Sequence, residues 1–440
     1  MKSVTIIGGG LAGLSSAVFL HKKGYKVQLF ESSPKLGGRA YSFYDRDKEQ
    51  HFDNGQHILA GWYENTFEFL QAIGSFDKLD FQSGLEVNFY DTSKNSFNLK
   101  TSNLPAPFNL LIGLLNYKAL SSSDKFSVFK IYKIFTDKSL EKSKNVEQLL
   151  KSINQTPNLI KYFWEPFILA VFNAKPENIS SKIFLDILKR GFSKKAFSNL
   201  VIPQVNLNEL FVDNAISYFK SNKMDYSLTH KISNLKITES KVEYAVTEAG
   251  EKIFSDYFIS ALPFFRFKDI FEIDIYNQYF KGVGELSPSS IISVHLFFEN
   301  EIPETLLKKN SFGMTGLIDT KVQWVFKRNS RHLSLVISAS DFLDELTEKS
   351  NEEIYKVCVS DLTKCLKGFD DLAIKDYKII KEKRATFIPD SASESKRPEQ
   401  KTSIENFYIA GDWTNTGLPA TIESAVKSAK KVSSFFPRYY

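Results

Sequence analysis

The run Gly8-Gly9-Gly10-Leu11-Ala12-Gly13, followed eighteen positions past its last glycine by Glu31, has the residue types and spacing to hold a dinucleotide. Gly8 suits a tight turn, Gly10 lets the main chain approach a pyrophosphate, and Gly13 lets helix and strand pack closely. Unpaired N–H groups at the start of the next helix would face the phosphates. The Glu31 carboxylate is placed to accept both hydroxyls of an adenosine ribose and would repel a 2′-phosphate. Leu36-Gly37-Gly38-Arg39 follows. Its glycine pair lets a loop lie against a flat ligand, and its cation can neutralise a pyrophosphate or pair with an acidic substrate group. Phe52-Asp53-Asn54-Gly55-Gln56-His57 reads either as a polar cluster beside that ligand or as a plain Asn-Gly turn. Far down the chain, Gly411-Asp412 lies between a strand pattern and a helix start, a second turn able to face the same ligand.

Positioning these residues takes a strand over 4–7, a helix to residue 23, a strand over 25–31 and, at the other end, a strand over 407–410 and a helix from about residue 420. After about residue 75 the pattern changes to Lys- and Ser-rich helical stretches over 124–150, 159–174 and 180–192, punctuated by Pro166 and Pro176. Strand patterns return as a meander over 228–237, 241–247 and 252–262. The end of its last strand is apolar enough for burial on both faces, as in a parallel sheet. A second sheet is expected from 291–299, 323–326 and 333–338, then a helix over 352–366 and a strand over 378–387. The two ends of the chain therefore rejoin around an inserted domain.

Composition bounds the function. A chain of 440 residues suggests two or three domains, and 42% hydrophobic with 25% charged residues is ordinary for a globular fold. The 39 Phe and 19 Tyr are a heavy aromatic load, read either as apolar cargo to be handled or as ordinary core. The net charge of +6 is spread without a basic block, which argues against nucleic acid and leaves weak attraction to anionic lipid. Cys358 and Cys365 alone indicate a reducing compartment without disulfides, and the six dispersed His indicate no metal site. The longest uncharged run, 101–117, is too short and too rich in Pro and Asn to span a bilayer. Its middle, 104–115, either dips into a membrane face or lines a greasy tunnel, or else forms a buried loop and short helix.

The glycine fingerprint, Glu31, Gly37-Gly38-Arg39 and Gly411-Asp412 resemble the flavin-containing amine oxidase and carotenoid desaturase superfamily. A narrower resemblance, to the hydroxysqualene dehydroxylases (squalene-associated FAD-dependent desaturases), is carried by Asp53-Asn54-Gly55-Gln56-His57, Leu104-Pro105-Ala106-Pro107, Lys383-Arg384-Ala385-Thr386-Phe387 and Gly411-Asp412-Trp413-Thr414-Asn415-Thr416-Gly417-Leu418-Pro419-Ala420-Thr421-Ile422-Glu423. Ser424 and Ala429 stand where that family carries glycine.

The fold class so implied is α/β. A discontinuous Rossmann-like FAD-binding domain covers 1–75, 205–285 and 385–440, and an inserted, partly helical α+β substrate-binding domain covers 76–204 and 286–384, with 104–115 as its membrane-contact segment. The resemblance implies FAD held by Gly8, Gly10, Leu11, Ala12 and Gly13 at the pyrophosphate, with Gly37, Gly38 and Arg39 nearby and Glu31 at the ribose. Gly55, Gln56 and His57 follow the flavin-facing loop. The Ile232 main chain would meet adenine, Gly411 and Asp412 the ribityl chain, and Thr421 and Ile422 the pyrimidine edge of the ring.

The implied activity is reductive dehydroxylation of hydroxysqualene, a thirty-carbon isoprenoid alcohol, to squalene. It needs protonation of a hydroxyl, a water-free environment for the allylic cation and hydride from reduced flavin. His57, which titrates near neutrality, is the first candidate acid, with Asp53, Glu165 and Glu423 as rivals. Tyr162, Phe163, Trp164, Phe167, Phe172 and Trp324 could shield the cation or be ordinary core. A phytoene-type desaturase on the same fold is the nearest alternative, ahead of an amine oxidase or a non-catalytic prenyl-lipid carrier. The oily substrate implies peripheral attachment at the cytoplasmic face of the membrane. The reductant that recharges the flavin and the oligomeric state have no signature in the sequence.

Overall fold

In the computed structural model, which describes residues 1–46, 48–307 and 313–439, a five-stranded parallel sheet runs in the order Asp225–Ser227, Lys26–Phe30, Ser3–Ile7, Tyr257–Ser260, Phe407–Ile409. Alternate residues of these strands enter different cores. Val4, Ile6, Val27, Leu29 and Ile259 pack with the helices Leu11–His21 and Ile422–Ser434. Ile7, Phe30, Phe258, Phe407 and Ile409 face the opposite side. That side is covered by the antiparallel meander Ile232–Thr238, Lys241–Thr247 and Lys252–Ile253. Burial on both faces is why these strands carry continuous β-branched and aromatic runs.

The strand expected over 252–262 divides in two. Lys252–Ile253 stays in the meander, the chain breaks at exposed Phe254, and Tyr257–Ser260 enters the parallel sheet between Ser3–Ile7 and Phe407–Ile409. Both chain ends thus meet at one sheet, as the sequence indicates.

A second, seven-stranded sheet has the order Ile374–Phe387, Pro288–Phe298, His332–Ser338, Trp324–Asn329, Met314–Ile318, Glu86–Asp91, Ser96–Lys100. The last two strands form a hairpin that the sequence reading did not place in a sheet. Polar Asn88 and Asn98 interrupt its apolar pattern and pair with each other across the strands. The helix Asn351–Cys365 covers one face of this sheet through Ile354, Cys358, Leu362 and Cys365. The stretch expected as helix over 124–150 is broken into short pieces. Ser121 with Asp124, Asp137 and Asn145 each hydrogen-bond main-chain N–H groups and restart the chain. Within 104–115 the helix Phe108–Leu115 forms, with Leu110 and Leu114 buried and Leu104 and Phe108 exposed. Among the described residues no helix is long and apolar enough to cross a membrane.

Candidate active site

A cavity of about 580 Å³ lies between the two sheets and draws its walls from both ends of the chain. At one end is the glycine turn. Gly8 has φ +106°, and a Cβ on Gly13 would lie 1.9 Å from the Gly8 carbonyl oxygen, so only glycine lets the helix approach its own turn this closely. Gly37 N–H donates to the Gly9 carbonyl at 2.9 Å, and a Cβ on Gly38 would lie 3.0 Å from Gly10 Cα. The two glycine loops are therefore laid one on the other. The helix Leu11–His21 has no side-chain cap and no acid in its first turn, which leaves its N-terminal N–H groups for an anion.

Glu31 closes this end. Its Oε2 accepts from Gly9 N–H at 2.7 Å, and its Oε1 accepts from Ser33 N–H at 2.8 Å and Ser32 Oγ at 3.2 Å. The carboxylate is pinned by main chain while keeping acceptor capacity on Oε2, so it is a preset hydroxyl acceptor rather than a free arm.

The two ends of the chain are clasped across the cavity by Arg39. Nη2 donates to Asp412 Oδ1 at 2.6 Å and Nη1 to the Ala385 carbonyl at 2.7 Å. Thr421 caps the helix Ile422–Ser434 by accepting from Ser424 N–H at 3.1 Å. Ser424, where glycine was expected, is fully buried; its Oγ donates to the Asp412 carbonyl at 2.8 Å and shares a 2.7 Å hydrogen bond with Thr416 Oγ1. The substitution thus adds a tie to the Gly411–Asp412 turn.

Arg397, which the sequence reading missed, holds the rest of this loop. Its buried guanidinium donates to the carbonyls of Trp413, Thr414 and Leu418 at 3.2, 3.1 and 2.9 Å, and burial lowers its pKa to about 10.

The other end of the cavity is apolar. Period-two alternation turns Ile291, Ser293, Trp324, Phe326, Val336 and Ser338 of the second sheet toward it, while Ile292, Val294, Val325, Leu335 and Ile337 point to the opposite core. Leu169 and Val171 of the helix Glu165–Phe172 form the facing wall. That helix ends at Asn173, in the left-handed region at φ +49°. Asn173 Oδ1 accepts from Ala339 N–H at 2.6 Å, and its Nδ2 donates to Thr386 Oγ1 at 3.0 Å, fixing the helix against two strands. Tyr63 also lines the cavity; burial raises its pKa, so it stays a neutral phenol.

The sequence-predicted residues divide. Gly8, Gly10, Leu11, Ala12, Glu31, Gly37, Gly38, Arg39, Gly55, Gln56, His57, Gly411, Asp412, Thr421 and Ile422 all line this one cavity. Gly13 sits behind the turn rather than at the surface of the cavity, and Ile232 is buried in the meander core. Ile232 is two residues past His230, whose N–H donates to the Glu31 carbonyl at 2.9 Å.

Of the four acid candidates, His57 alone lines the cavity. Burial lowers its pKa below 6.5; Asp53 pulls it up and Arg39 pushes it further down. Asp53 does not line this cavity; its Oδ1 accepts from Ser42 Oγ at 2.7 Å and Leu207 N–H at 3.0 Å, and the residue borders a smaller polar cavity. Glu165 is exposed and does not line the cavity. Glu423 is fully buried and serves another helix. It accepts from Asn65 N–H and Nδ2 at 3.1 and 2.6 Å and from Thr66 N–H and Oγ1 at 2.9 and 2.7 Å, capping Glu64–Ile73. Among the six aromatic candidates only Trp324 lines the cavity; Phe163, Trp164 and Phe172 are core. Among the described residues no group of three or more His, Cys, Asp or Glu is arranged to hold a metal.

The chain is similar to known proteins along nearly its whole length. The profile of the family "Flavin containing amine oxidoreductase" matches residues 11–434. The hydroxysqualene dehydroxylase of Zymomonas mobilis is 26% identical over 97% of this chain and 97% of that protein. A 15-cis-phytoene desaturase of an Oncidium hybrid is 25% identical over 97% of this chain and 76% of that protein. Among solved structures, an oxidoreductase from Methanosarcina mazei superposes with a TM-score of 0.74 at 18% identity, covering 98% of this chain and 100% of that one.

Proposed function

This chain belongs to the flavin containing amine oxidoreductase family and is an FAD-dependent oxidoreductase; we propose that its reaction is the reductive removal of the hydroxyl of hydroxysqualene, giving squalene. The reading rests on the two-part lining of one cavity. A glycine cradle, an uncapped helix start and a pinned carboxylate suit a dinucleotide, and the apolar far wall of Leu169, Val171, Trp324, Phe326 and Val336 suits a hydrocarbon. The match to a hydroxysqualene dehydroxylase along nearly the full length of both chains supports the choice of alcohol.

FAD fits these residues. The helix Leu11–His21 and the glycine loops would hold its pyrophosphate, Glu31 its ribose, and Asp412, Thr421 and Ile422 its other half. When bound and reduced it supplies hydride. The balance is one alcohol, one proton and one hydride to one hydrocarbon and one water. The chain must then do three things. Arg39, clasping Asp412, holds the two ends of the polypeptide at a fixed separation around the ligand. The apolar wall excludes water from the carbon that loses its hydroxyl, so that hydride rather than water is captured. His57 delivers the proton to the leaving hydroxyl from the cavity side of the Asn54–His57 loop.

In this reading residues 1–75, 205–285 and 385–440 form the FAD-binding domain and 76–204 with 286–384 the substrate-binding domain. The parallel sheet supports it, since all five of its strands come from the first set. The protein works at the cytoplasmic face of the membrane, where its substrate dissolves. The likeness to a phytoene desaturase favours a second reading, oxidation of an isoprenoid by the same flavin. Purified holoprotein incubated with hydroxysqualene and dithionite-reduced FAD yields squalene in the first case. Desaturated product from phytoene and oxidised FAD, with no squalene, selects the second.

A further inference from the structure

The helical run from Ser122–Val128 through Phe129–Tyr132 to Lys133–Thr136 carries two apolar stripes where a surface helix normally has one. Val128, Ile131 and Ile134 are buried, at 0–2% exposure. Phe126, Phe129 and Tyr132, also three apart, are exposed at 75, 59 and 50%. Spacing by three keeps each set on one side of a tight helix. Next to this run packs the helix Phe108–Leu115, which adds exposed Leu104 and Phe108 at its start. Five of the chain's exposed large apolar side chains therefore fall within residues 104–132. Most contacts of this kind are hidden in soluble folds, and a clustered set marks an interaction surface.

The charge along residues 104–133 is mostly of one sign. Between residues 104 and 133 the cations are Lys118, Lys125, Lys130 and Lys133, and the only acid is Asp124. Asp124 is buried, held in a capping box with Ser121. Among the described residues none of these four lysines forms a salt bridge to an acid. Exposed aromatic side chains set among Lys118, Lys125 and Lys130, with Lys133 near Asp137 at the end of the run, match the boundary of an anionic bilayer, where rings enter the headgroup layer and ammonium groups meet phosphates.

We propose that this two-helix surface, centred on Phe126, Phe129 and Tyr132, docks the protein onto anionic phospholipid. The proposal deepens the membrane reading above and rests on it, and it moves the contact: Leu110 and Leu114, in the middle of 104–115, are buried and unable to insert. The surface is joined to the cavity by packing. Ser122–Val128 packs on Pro157–Leu159, which continues through Ile160–Trp164 into Glu165–Phe172, the helix whose far end forms the cavity wall.

The test is flotation of the FAD-loaded full chain with vesicles of phosphatidylcholine alone or with about one-third phosphatidylglycerol. Wild type is expected to float with the anionic vesicles at low salt and to be released as salt rises. The triple variant F126S/F129S/Y132S is expected to lose at least tenfold in binding, and K130Q/K133Q about fivefold for each lysine removed. The control F254S changes an exposed ring outside the patch and should bind like wild type. Flavin absorbance and thermal melting of each variant show that it is folded. Undiminished binding by the folded triple variant, or failure of wild type to bind anionic vesicles, overturns the proposal, as does a dimer in solution that the triple variant abolishes without any lipid binding. The binding readout needs no turnover, so a protein that floats as expected but does not form squalene overturns the proposed reaction and leaves the docking surface standing.

Discussion

Replacing Glu423 separates a structural cap from a catalytic acid. The carboxylate takes four hydrogen bonds from Asn65 and Thr66 at the start of the helix Glu64–Ile73, whose own N-cap residue, Tyr63, supplies none. In Glu423→Ala the Asn65 groups, on a half-buried residue, can turn to water. Thr66 is fully buried, and its N–H and Oγ1–H are left without an acceptor. Each such loss costs about 1–3 kcal/mol, so the variant should be destabilised by about 3–5 kcal/mol. At roughly 1 °C per kcal/mol for a chain of this size, the melting temperature falls by about 3–5 °C.

The pH dependence has a definite sign. Burial holds the Glu423 carboxyl above the usual carboxylate range, its four hydrogen bonds only partly opposing this. The folded chain therefore keeps this proton more tightly than the unfolded one. The side chain's contribution is greatest below the unfolded carboxyl pKa of about 4.3 and declines as pH rises through the folded value. The stability gap between wild type and Glu423→Ala should accordingly narrow from acid toward neutral pH. The assay is thermal melting followed by flavin release, with turnover per bound flavin measured on the protein that remains folded. A melting temperature unchanged by the substitution, together with lost turnover, would refute the capping argument and return Glu423 to the chemistry.

Three other outcomes are expected. Gly13→Ala drives a methyl into the Gly8 carbonyl, at 1.9 Å, and should yield protein with at least a tenfold loss of bound flavin, read at the visible absorbance band; a yellow, stoichiometric variant contradicts the packing. With its pKa held below 6.5 by burial, His57 is mostly neutral at pH 7, so squalene formation under saturating reduced flavin should rise as pH falls and lose that dependence in His57→Ala, while a flat wild-type profile removes His57 as donor. His295 and His332, 3.0 Å apart in a buried pair, are lowered by burial from 6.5 to about 4 and about 3. Their stabilising contribution is complete above pH 6.5 and is lost as pH falls through that window, about 3 kcal/mol for His295 alone, so His332→Gln should flatten the acid side of the stability curve measured by urea melts.

Much of the cofactor half was legible because its constraints are local. The turn at Gly8 and the close approach at Gly13 depend on backbone within one strand–turn–helix unit, and the buried strands of the parallel sheet show their double burial as continuous apolar runs. The apolar and β-branched residues of 323–326 and 333–338 likewise announced strands, though not which face would meet a ligand. The acids were not legible, since a carboxylate's role depends on what the fold brings to it. Asp53 looked like part of a polar cluster and is tied to Ser42 and Leu207 N–H; Glu423 looked like part of a cofactor motif and caps a helix more than 350 positions away. Arg397 and Asn173 had no pattern of their own, because each acts on carbonyls and amides that only the folded chain gathers around it.

Local geometry in the first thirty-one residues was thus enough to specify a dinucleotide turn, since steric and hydrogen-bonding demands there are met within a single turn of chain. Which residues stand at the cavity, which carboxylate is free, and which aromatics lie outside the core were decided by long-range packing: the Arg39–Asp412 clasp, the alternation of the second sheet, and the two-sided helix at 122–136 each depend on surfaces distant in the chain.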